Sequence, residues 1–493
     1  LNDSDKEISK RILIEIISRL NYLINVGLDY LTLNRKSKSL SGGESQRINI
    51  ATSLGSSLVG SLYILDEPSI GLHSNDSLKL IKVLKSLRDL GNTVIVVEHD
   101  HDIMKQADHI IDIGPKAGSE GGNLMAEGTF KQFLKQKSIT ASYLNKEKEI
   151  SVPKIRRSSK KHIKIFGARE NNLKNINISI PLGVITTVTG VSGCGKSSLV
   201  RNILYPALQN ELGIYENKPG DYTKIDGDID SIDFVEFINQ NPIGRSSRSN
   251  PVTYIKAYDE IRNLFSNHKL SKQRGYKAKH FSFNVDGGRC DKCKGDGEIT
   301  IEMQFMADVH LICDDCKGSR FKREILDVKF SEKNIYDVLN MTINDSLEFF
   351  EKSNENKIYR KLLPLKNVGL GYVKLGQSSS TLSGGEAQRI KLASFLGKAN
   401  QTKKGVFIFD EPTTGLHTDD IKKLLKSFNA LVDLGNTIVI VEHNLELIKC
   451  SDHIIDLGPV GGEKGGRLIV KGKPEFIIKN NESLTAKYLK EYL

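Results

Sequence analysis

Eight consecutive residues carry the clearest chemistry in the chain: Gly190-Val191-Ser192-Gly193-Cys194-Gly195-Lys196-Ser197. Glycines at this spacing let backbone N–H groups turn toward a pyrophosphate, and a helix starting at once adds partial positive charge. In such a loop Lys196 reaches the β- and γ-phosphates and Ser197 ligates Mg²⁺, with Ser198 opening the helix. A glycine-rich turn that matches by composition is the competing reading. It leaves unexplained the β-branched strand 184–189 before the loop and the helical stretch 198–204 after it.

Two carboxylate pairs, Asp66-Glu67 and Asp410-Glu411, each follow a short apolar run (62–65 and 406–409). An Asp at a strand end can hold the Mg²⁺ shell, and the neighbouring Glu can orient or deprotonate an attacking water. Two further runs, 94–97 and 438–441, lead into Glu-His, so His99 and His443 can hydrogen-bond a γ-phosphate or that water. One Asp-Glu pair alone would read as surface chemistry or a helix cap. Its repetition with the same downstream strand argues otherwise.

Cys290-x-x-Cys293 and Cys313-x-x-Cys316 lie 19 residues apart, the spacing of a structural four-cysteine zinc site. Each pair is followed by Lys-Gly, where glycine lets the knuckle backbone turn its N–H groups toward sulfur. Four thiolates leave no open coordination position, so the expected role is scaffolding; buried free thiols or a redox pair are the alternatives. Cys194 and Cys450 have no partner in this pattern and read as buried or phosphate-loop residues. Next to the cysteines, 243–280 is rich in basic residues, among them Arg245, Arg248, Lys272, Arg274, Lys277 and Lys279. Tyr254, Tyr258, Phe265 and Tyr276 are interspersed. This mixture suits phosphate contact and base stacking, or else a solvated basic face over core aromatics.

The elements that must position these residues come in duplicate. LSGGESQRI at 40–48 matches LSGGEAQRI at 382–390, and ILDEPSIGLH at 64–73 matches IFDEPTTGLH at 408–417. VIVVEH at 94–99 matches IVIVEH at 438–443, and DHIIDIGP from Asp108 matches DHIIDLGP from Asp452. The offset is 342 residues at the first landmark and 344 at the others. A nearly constant shift means two copies of one structural unit. The short apolar runs predict strands buried on both faces of a parallel sheet, separated by helices at 77–87 and 420–431. Ile8, Ile12, Ile16, Leu20 and Ile24, four apart, predict an amphipathic helix ending at Gly27. The result is an α/β fold with its chemistry at strand C-terminal ends. The polar, basic stretch 146–164 reads as a linker, and 241–380 has no counterpart in the first copy.

The chain has 493 residues, of which 38% are hydrophobic and 27% charged, enough apolar material for substantial cores and too ordinary for a disordered tail. Its net charge of +11 favours a polyanionic partner. No run of 18 apolar residues occurs, the length a membrane-crossing helix needs. Six cysteines in a chain this long are not a disulfide scaffold, and a reducing cytoplasm is expected.

LSGGE-x-QR resembles the signature of ATP-binding-cassette ATPases, in which two nucleotide-binding domains sandwich ATP head to tail. The resemblance implies that Ser41-Gly42-Gly43 and Ser383-Gly384-Gly385 each open a helix and offer N–H groups and a hydroxyl to the γ-phosphate bound on the other domain. One composite site is then complete in sequence: Gly190 to Ser197, Gln240, Asp410, Glu411 and His443, facing Ser41 to Gly43. The other has Asp66, Glu67, His99 and Ser383 to Gly385, but the 40 residues before Ser41 contain no phosphate loop. The expectation is a C-terminal part of a longer protein. It divides into half of a first cassette (1–145), a linker (146–164), an ATP-binding lobe (165–240), a zinc-bearing signature insertion (241–400) and a C-terminal lobe (401–493).

The insertion narrows the likeness further. QNPIGRSSRSNPVTYIKAYDEIRNLF, the two cysteine pairs and the Gly-Leu-His after both Asp-Glu-Pro motifs closely resemble the second cassette of the UvrA family of bacterial nucleotide excision repair. That resemblance implies a fold of tandem cassettes, the first incomplete, with an inserted zinc-binding α+β domain. It further implies an ATPase, not itself the nuclease, that uses ATP, Mg²⁺ and Zn²⁺. It also implies a homodimer that senses damage in duplex DNA through altered shape and deformability and loads UvrB, whose binding region is expected upstream of Ser41. Two alternatives stay open. One is a UvrA-like paralogue conferring resistance to DNA-binding drugs; the other is a ribosome-binding translation factor of the cassette superfamily.

Overall fold

A computed structural model describes residues 3–37, 40, 42–55, 59–244, 246, 248–303, 308–397 and 403–493. The chain divides into two compact units. One comprises Leu1–Pro115, Gly122–Asn239 and Thr402–Leu493; the other comprises Lys116–Gly121 and Gln240–Gln401.

In the first unit the chain opens with helices α1 (Asp3–Asn25) and α2 (Gly42–Gly55). Strand β1 (Leu62–Asp66), helix α3 (Ser74–Asp89) and strand β2 (Thr93–Val97) follow, then β3 (Ile110–Gly114) and β4 (Asn123–Gly128). The stretch 162–238 contributes β5 (His162–Ala168), β6 (Ile176–Pro181), β7 (Ile185–Gly190), β8 (Lys224–Gly227) and β9 (Phe234–Ile238). The second unit carries the antiparallel hairpin β10 (Glu298–Ile301) and β11 (Val309–Ile312). Back in the first unit, β12 (Gly405–Asp410), β13 (Thr437–Val441), β14 (His453–Gly458) and β15 (Arg467–Gly472) complete the set.

The central sheet runs β15-β14-β7-β13-β12-β9, with only β15 antiparallel. Strands β12 and β13 are nearly continuous apolar runs, β7 interleaves Ile185 and Val188 with three buried threonines, and β7, β13 and nearly all of β12 are buried on both faces. A right-twisted parallel sheet of this kind needs helical cover on each side. The duplication extends to backbone detail. β1 pairs β2 in the register in which β12 pairs β13, Leu62 with Thr93 and Val406 with Thr437. The β3–β4 ladder shifts between Asp112 and Ile113 just where the β14–β15 ladder shifts between Asp456 and Leu457.

Two sequence expectations change here. Strands β1 and β2 are not buried on both faces: Ile64 is 65% exposed, and Ile95 and Val97 about half. The reason is topological. β7 sits between β13 and β14 and bridges them, whereas β1–β2 and β3–β4 are separate two-stranded sheets among the described residues. Likewise α1 forms, yet Ile8, Ile12, Ile16 and Ile24 are exposed. Its last turn packs, Tyr22 and Leu23, with Val26 just beyond the helix, joining Ile50 and Leu54 of α2.

The stretch 146–161 has no regular structure but is anchored. The Arg156 guanidinium donates to Glu475 at 2.7 Å and to Ser451 O, and Arg157 reaches Asn429 and Asp433.

Candidate functional site

The phosphate-loop sequence closes the C-terminal end of β7. Gly190, Gly193 and Gly195 all have positive φ, and a Cβ on Gly190 would lie 2.1 Å from Leu457 O, so only glycine fits. Lys196 is buried, and its Nζ donates to Gly190 O and Val191 O at 2.9 Å each, folding the side chain over the loop. The Ser192 hydroxyl donates to Gly71 O of the first copy at 3.2 Å. Ser197 and Ser198 lead into a π-helical stretch, Ser198–Leu204, a local form that concentrates at functional sites. Cys194 is fully buried beneath the loop and burial pushes its thiol up, which makes it a packing residue and not a nucleophile.

Asp410 and Glu411 stand at the end of β12, next to β13, which leads into His443. Glu411 takes the left-handed backbone conformation (φ +46°), as its counterpart Glu67 does (φ +45°), a strained geometry that recurs at active sites. Burial is the main cause that raises both Asp410 and Glu411. For Glu411, the Asp410 and Glu442 carboxylates add to it, carrying it to about 8. Lys196 opposes the rise in both, and Arg47 of the first copy's signature helix opposes it at Glu411. His443 Nε2 is 3.8 Å from Glu411 Oε1, and burial holds the imidazole well below its usual range, hence neutral. The first copy repeats the pair, His99 Nε2 standing 3.7 Å from Glu67 Oε1, with burial raising Glu67. Asp66 ends β1, and its carbonyl accepts from Gln46 of α2.

Several members of this site escaped sequence reasoning. Glu442, the residue before His443, accepts from the N–H groups of Thr413, His443 and Asn444 and from the Thr413 hydroxyl, bracing both turns. Glu98 does the same for Ser69, His99 and Asp100. The Glu-His repeat was the available signal. Tyr30 covers the phosphate loop: a Cβ on Gly193 would lie 2.5 Å from its ring, and its hydroxyl donates to Glu44 of α2 at 2.7 Å. A cavity of about 150 Å³ opens between the copies, lined by Glu67, Gly71, His99, Glu411, Gly415 and His443 among others.

Of the two serine-glycine turns, Ser41 lies outside the described residues. Gly42 begins α2, and Gly43 packs so closely on Ile70 O that a Cβ would approach to 2.5 Å. In the second unit Ser383 caps the helix Gly384–Leu396, its hydroxyl accepting from Glu386 N while its own N–H donates to Glu386 Oε2. Gly384 packs on Gln240, and Gly385 is buried.

The cysteine pairs converge in the second unit. The four Sγ atoms lie within 4.8 Å of one another; Cys290 and Cys313 are 3.9 Å apart, Cys293 and Cys316 3.6 Å. Tetrahedral zinc with bonds of about 2.3 Å sets sulfurs about 3.8 Å apart, so the four thiols fit that ion. Lys294 and Lys317 have positive φ, the following glycines too, and Gly297 N–H donates to Cys293 Sγ at 3.2 Å.

The basic segment is only partly as expected. Lys272, Arg274, Lys277 and Lys279 are exposed, but Arg274 is paired with Asp327 at 2.7 Å and Arg248 with Asp296 at 3.1 Å. Arg245 lies outside the described residues. Tyr258 and Phe265 are not stacking platforms. They occupy the apolar face of the helix Tyr258–Ser266, and Tyr258 packs on Phe283 and donates to Phe281 O.

Comparison with known proteins decides the family. The chain is 57% identical over its full length to the UvrABC system protein A of Clostridium acetobutylicum and 55% identical to that of Staphylococcus epidermidis. The chain belongs to the UvrA family. It spans about half the length of these curated UvrA relatives, 52% in both cases. The crystal structure of UvrA2 from Deinococcus radiodurans superimposes over 98% of this chain and 58% of its own, with TM-score 0.93 at 42% identity. A model of ribosome-bound archaeal Pelota and ABCE1 matches with TM-score 0.52 at 18% identity, covering 93% of this chain and 60% of its own, a likeness of fold alone. No family model matches the chain. The fold is that of tandem ATP-binding cassettes, the first incomplete, with an inserted α+β unit that carries the four-cysteine cluster. No helix among the described residues is long and apolar enough to cross a membrane.

Proposed function

We propose that the chain binds and hydrolyses ATP as part of DNA-damage recognition in nucleotide excision repair. The observation that carries this reading is the convergence of Lys196, Asp410, Glu411 and His443 at the C-terminal ends of three adjacent strands, with Gly71 and Arg47 of the first copy beside them. The loop N–H groups and Lys196 bind the phosphates, and Glu411 in its ionised form receives the proton of the attacking water. His443, neutral and beside Glu411, orients that water and the γ-phosphate. The signature turn of the first copy, at Gly42 and Gly43, offers its helix N-terminus to the same nucleotide. Asp66, Glu67 and His99 repeat the carboxylate-histidine arrangement in the first copy. Ser197 and Asp410 would hold Mg²⁺, which supplies charge neutralisation at the phosphates. The four cysteines hold zinc as a structural clamp.

The partners of this reading are damaged duplex DNA, a second copy of the chain, and UvrB; the compartment is the cytoplasm. The exposed Lys272, Lys277 and Lys279 contact DNA phosphates. The test is binding of damaged and undamaged duplexes with and without ATP, alongside ATP turnover by the wild-type chain and by Lys196→Ala. ATP-dependent preference for damaged duplex and loss of turnover in Lys196→Ala are expected. Equal turnover in both proteins would remove the loop from the reaction, and equal affinity for both duplexes would favour a general DNA-binding role.

A further inference from the structure

The Gly-Leu-His turn that follows each carboxylate pair ends in a histidine that reaches into the other copy. His73, of the first copy, is buried; its Nδ1 accepts from Asn75 N at 3.2 Å and its Nε2 lies 3.3 Å from the Thr485 hydroxyl. Thr485 Oγ1 donates onward to Asp456 Oδ1 at 2.7 Å. Asp456, buried in β14, also accepts from Thr189 at 2.6 Å, the residue immediately before Gly190, and from Ser483 at 2.7 Å. The His73 ring stands edge-on to that of His443, centroids 6.3 Å apart, and to Tyr488 at 5.7 Å.

The histidine of the second copy makes its own contacts in reverse. His417 Nδ1 accepts from Asp419 N at 3.2 Å, and its Nε2 lies 3.3 Å from the Thr140 hydroxyl, which donates to Asp112 at 3.1 Å. Its ring is 6.5 Å from His99 and 5.7 Å from Tyr143, both edge-on. Even the outer bonds agree: Tyr488 donates to Asn75 and Tyr143 to Asp419.

These contacts define the proton positions. A ring Nδ1 that accepts a backbone N–H carries no proton, so the neutral imidazole donates from Nε2 to threonine, whose own proton points to aspartate. Burial supports neutrality, lowering His417 and holding His73 near about 4.

We propose that His73 and His417 are reciprocal positioning residues. Each registers the turn of its own copy against the Thr-Asp pair and the Glu-paired histidine of the other. Through Thr485, Asp456 and Thr189, His73 fixes the end of β7 and hence the phosphate loop; through its ring edge it fixes His443. The nucleotide site of the second copy is thus set by a side chain delivered from the first. This inference rests on the ATPase reading above.

Thr485→Val keeps the shape and removes the relay hydroxyl; Thr485→Ser keeps the hydroxyl. In the full chain, Thr485→Val should lower kcat about tenfold, the scale of one buried hydrogen bond lost from the transition state, and Thr485→Ser should restore it. Without any nucleotide, ¹⁵N-detected histidine ring signals of His73 and His443 should move in Thr485→Val and return in Thr485→Ser, those of His99 staying in place. Thr140→Val should do the reverse, moving His417 and His99. Unmoved His443 signals, or equal kcat for the valine and serine variants, would overturn the relay. Absence of turnover and nucleotide binding in the wild-type chain would instead remove the ATPase reading, and the ring signals would then decide the relay alone.

Discussion

Gly71 lies directly against the Glu411 carboxylate: a Cβ built on it would stand 3.1 Å from Oε2 and 3.2 Å from Oε1. Gly415 bears the same relation to Glu67, at 3.1 Å from Oε1. Each candidate water-activating carboxylate is therefore walled by the backbone of the opposite copy. Its orientation depends on how the copies meet and not on its own strand alone.

Gly71→Ala tests this wall. The new methyl group would crowd the carboxylate, and φ +68° at this position adds the left-handed penalty of about 1 kcal/mol for a residue with a Cβ. Turnover should fall roughly tenfold or more, while the melting temperature drops by only a few degrees. Steady-state kinetics paired with calorimetry separates the two; an unchanged kcat counts against the wall.

Glu411→Gln should retain nucleotide binding and lose turnover by about 10²-fold or more. It also has a nucleotide-free signature. The carboxyl ionises near 4.5 in the unfolded chain and near about 8 in the folded one, so wild-type stability declines as pH rises between those values. Glutamine does not titrate. The melting-temperature advantage of Glu411→Gln should therefore grow from pH 5 to pH 8 and then level off, read by calorimetry across that range. A constant difference would place Glu411 in an ordinary solvated setting.

Zinc content follows from the cysteine geometry. The wild-type chain should carry one zinc per chain by elemental analysis, and Cys313→Ser should lose it, because three thiolates and a hydroxyl hold the ion far less tightly. Chelation should expose the β10–β11 region to proteolysis while leaving the first unit resistant. Metal-free wild-type protein with an intact hairpin would argue for a purely apolar cysteine cluster.

Neutralising Lys272, Lys277 and Lys279 should weaken duplex binding and lower the salt slope by about 0.9 per phosphate contact removed. Arg248 and Arg274 should matter less, since Asp296 and Asp327 already hold them. Fluorescence anisotropy against salt concentration makes the comparison. An arginine effect larger than the lysine effect would redraw the DNA path.

What was legible in the chain beforehand was whatever lies within a few neighbouring residues. A phosphate loop needs glycines at three positions of eight and a lysine behind them; a zinc knuckle needs two cysteines and a glycine. Strand β13 and the helix Thr418–Asp433 announce themselves by unbroken or periodic apolar residues, because backbone geometry repeats over two or 3.6 residues. Periodicity misled only where burial depends on distant neighbours: the stripe of α1 and the strands β1 and β2 have the right pattern but no β7 beside them.

The amino-acid sequence alone determined the duplication, the loop, the carboxylate-histidine pairs and the cysteine cluster, since each is written in local spacing or in a constant offset. Tertiary structure alone decided that Tyr30 covers Gly193, that Gly71 walls Glu411 and that His73 reaches Thr485. Those pairs lie far apart in the chain, His73 and Thr485 by 412 residues, and join only where the two copies meet, a relation that no local rule of spacing encodes.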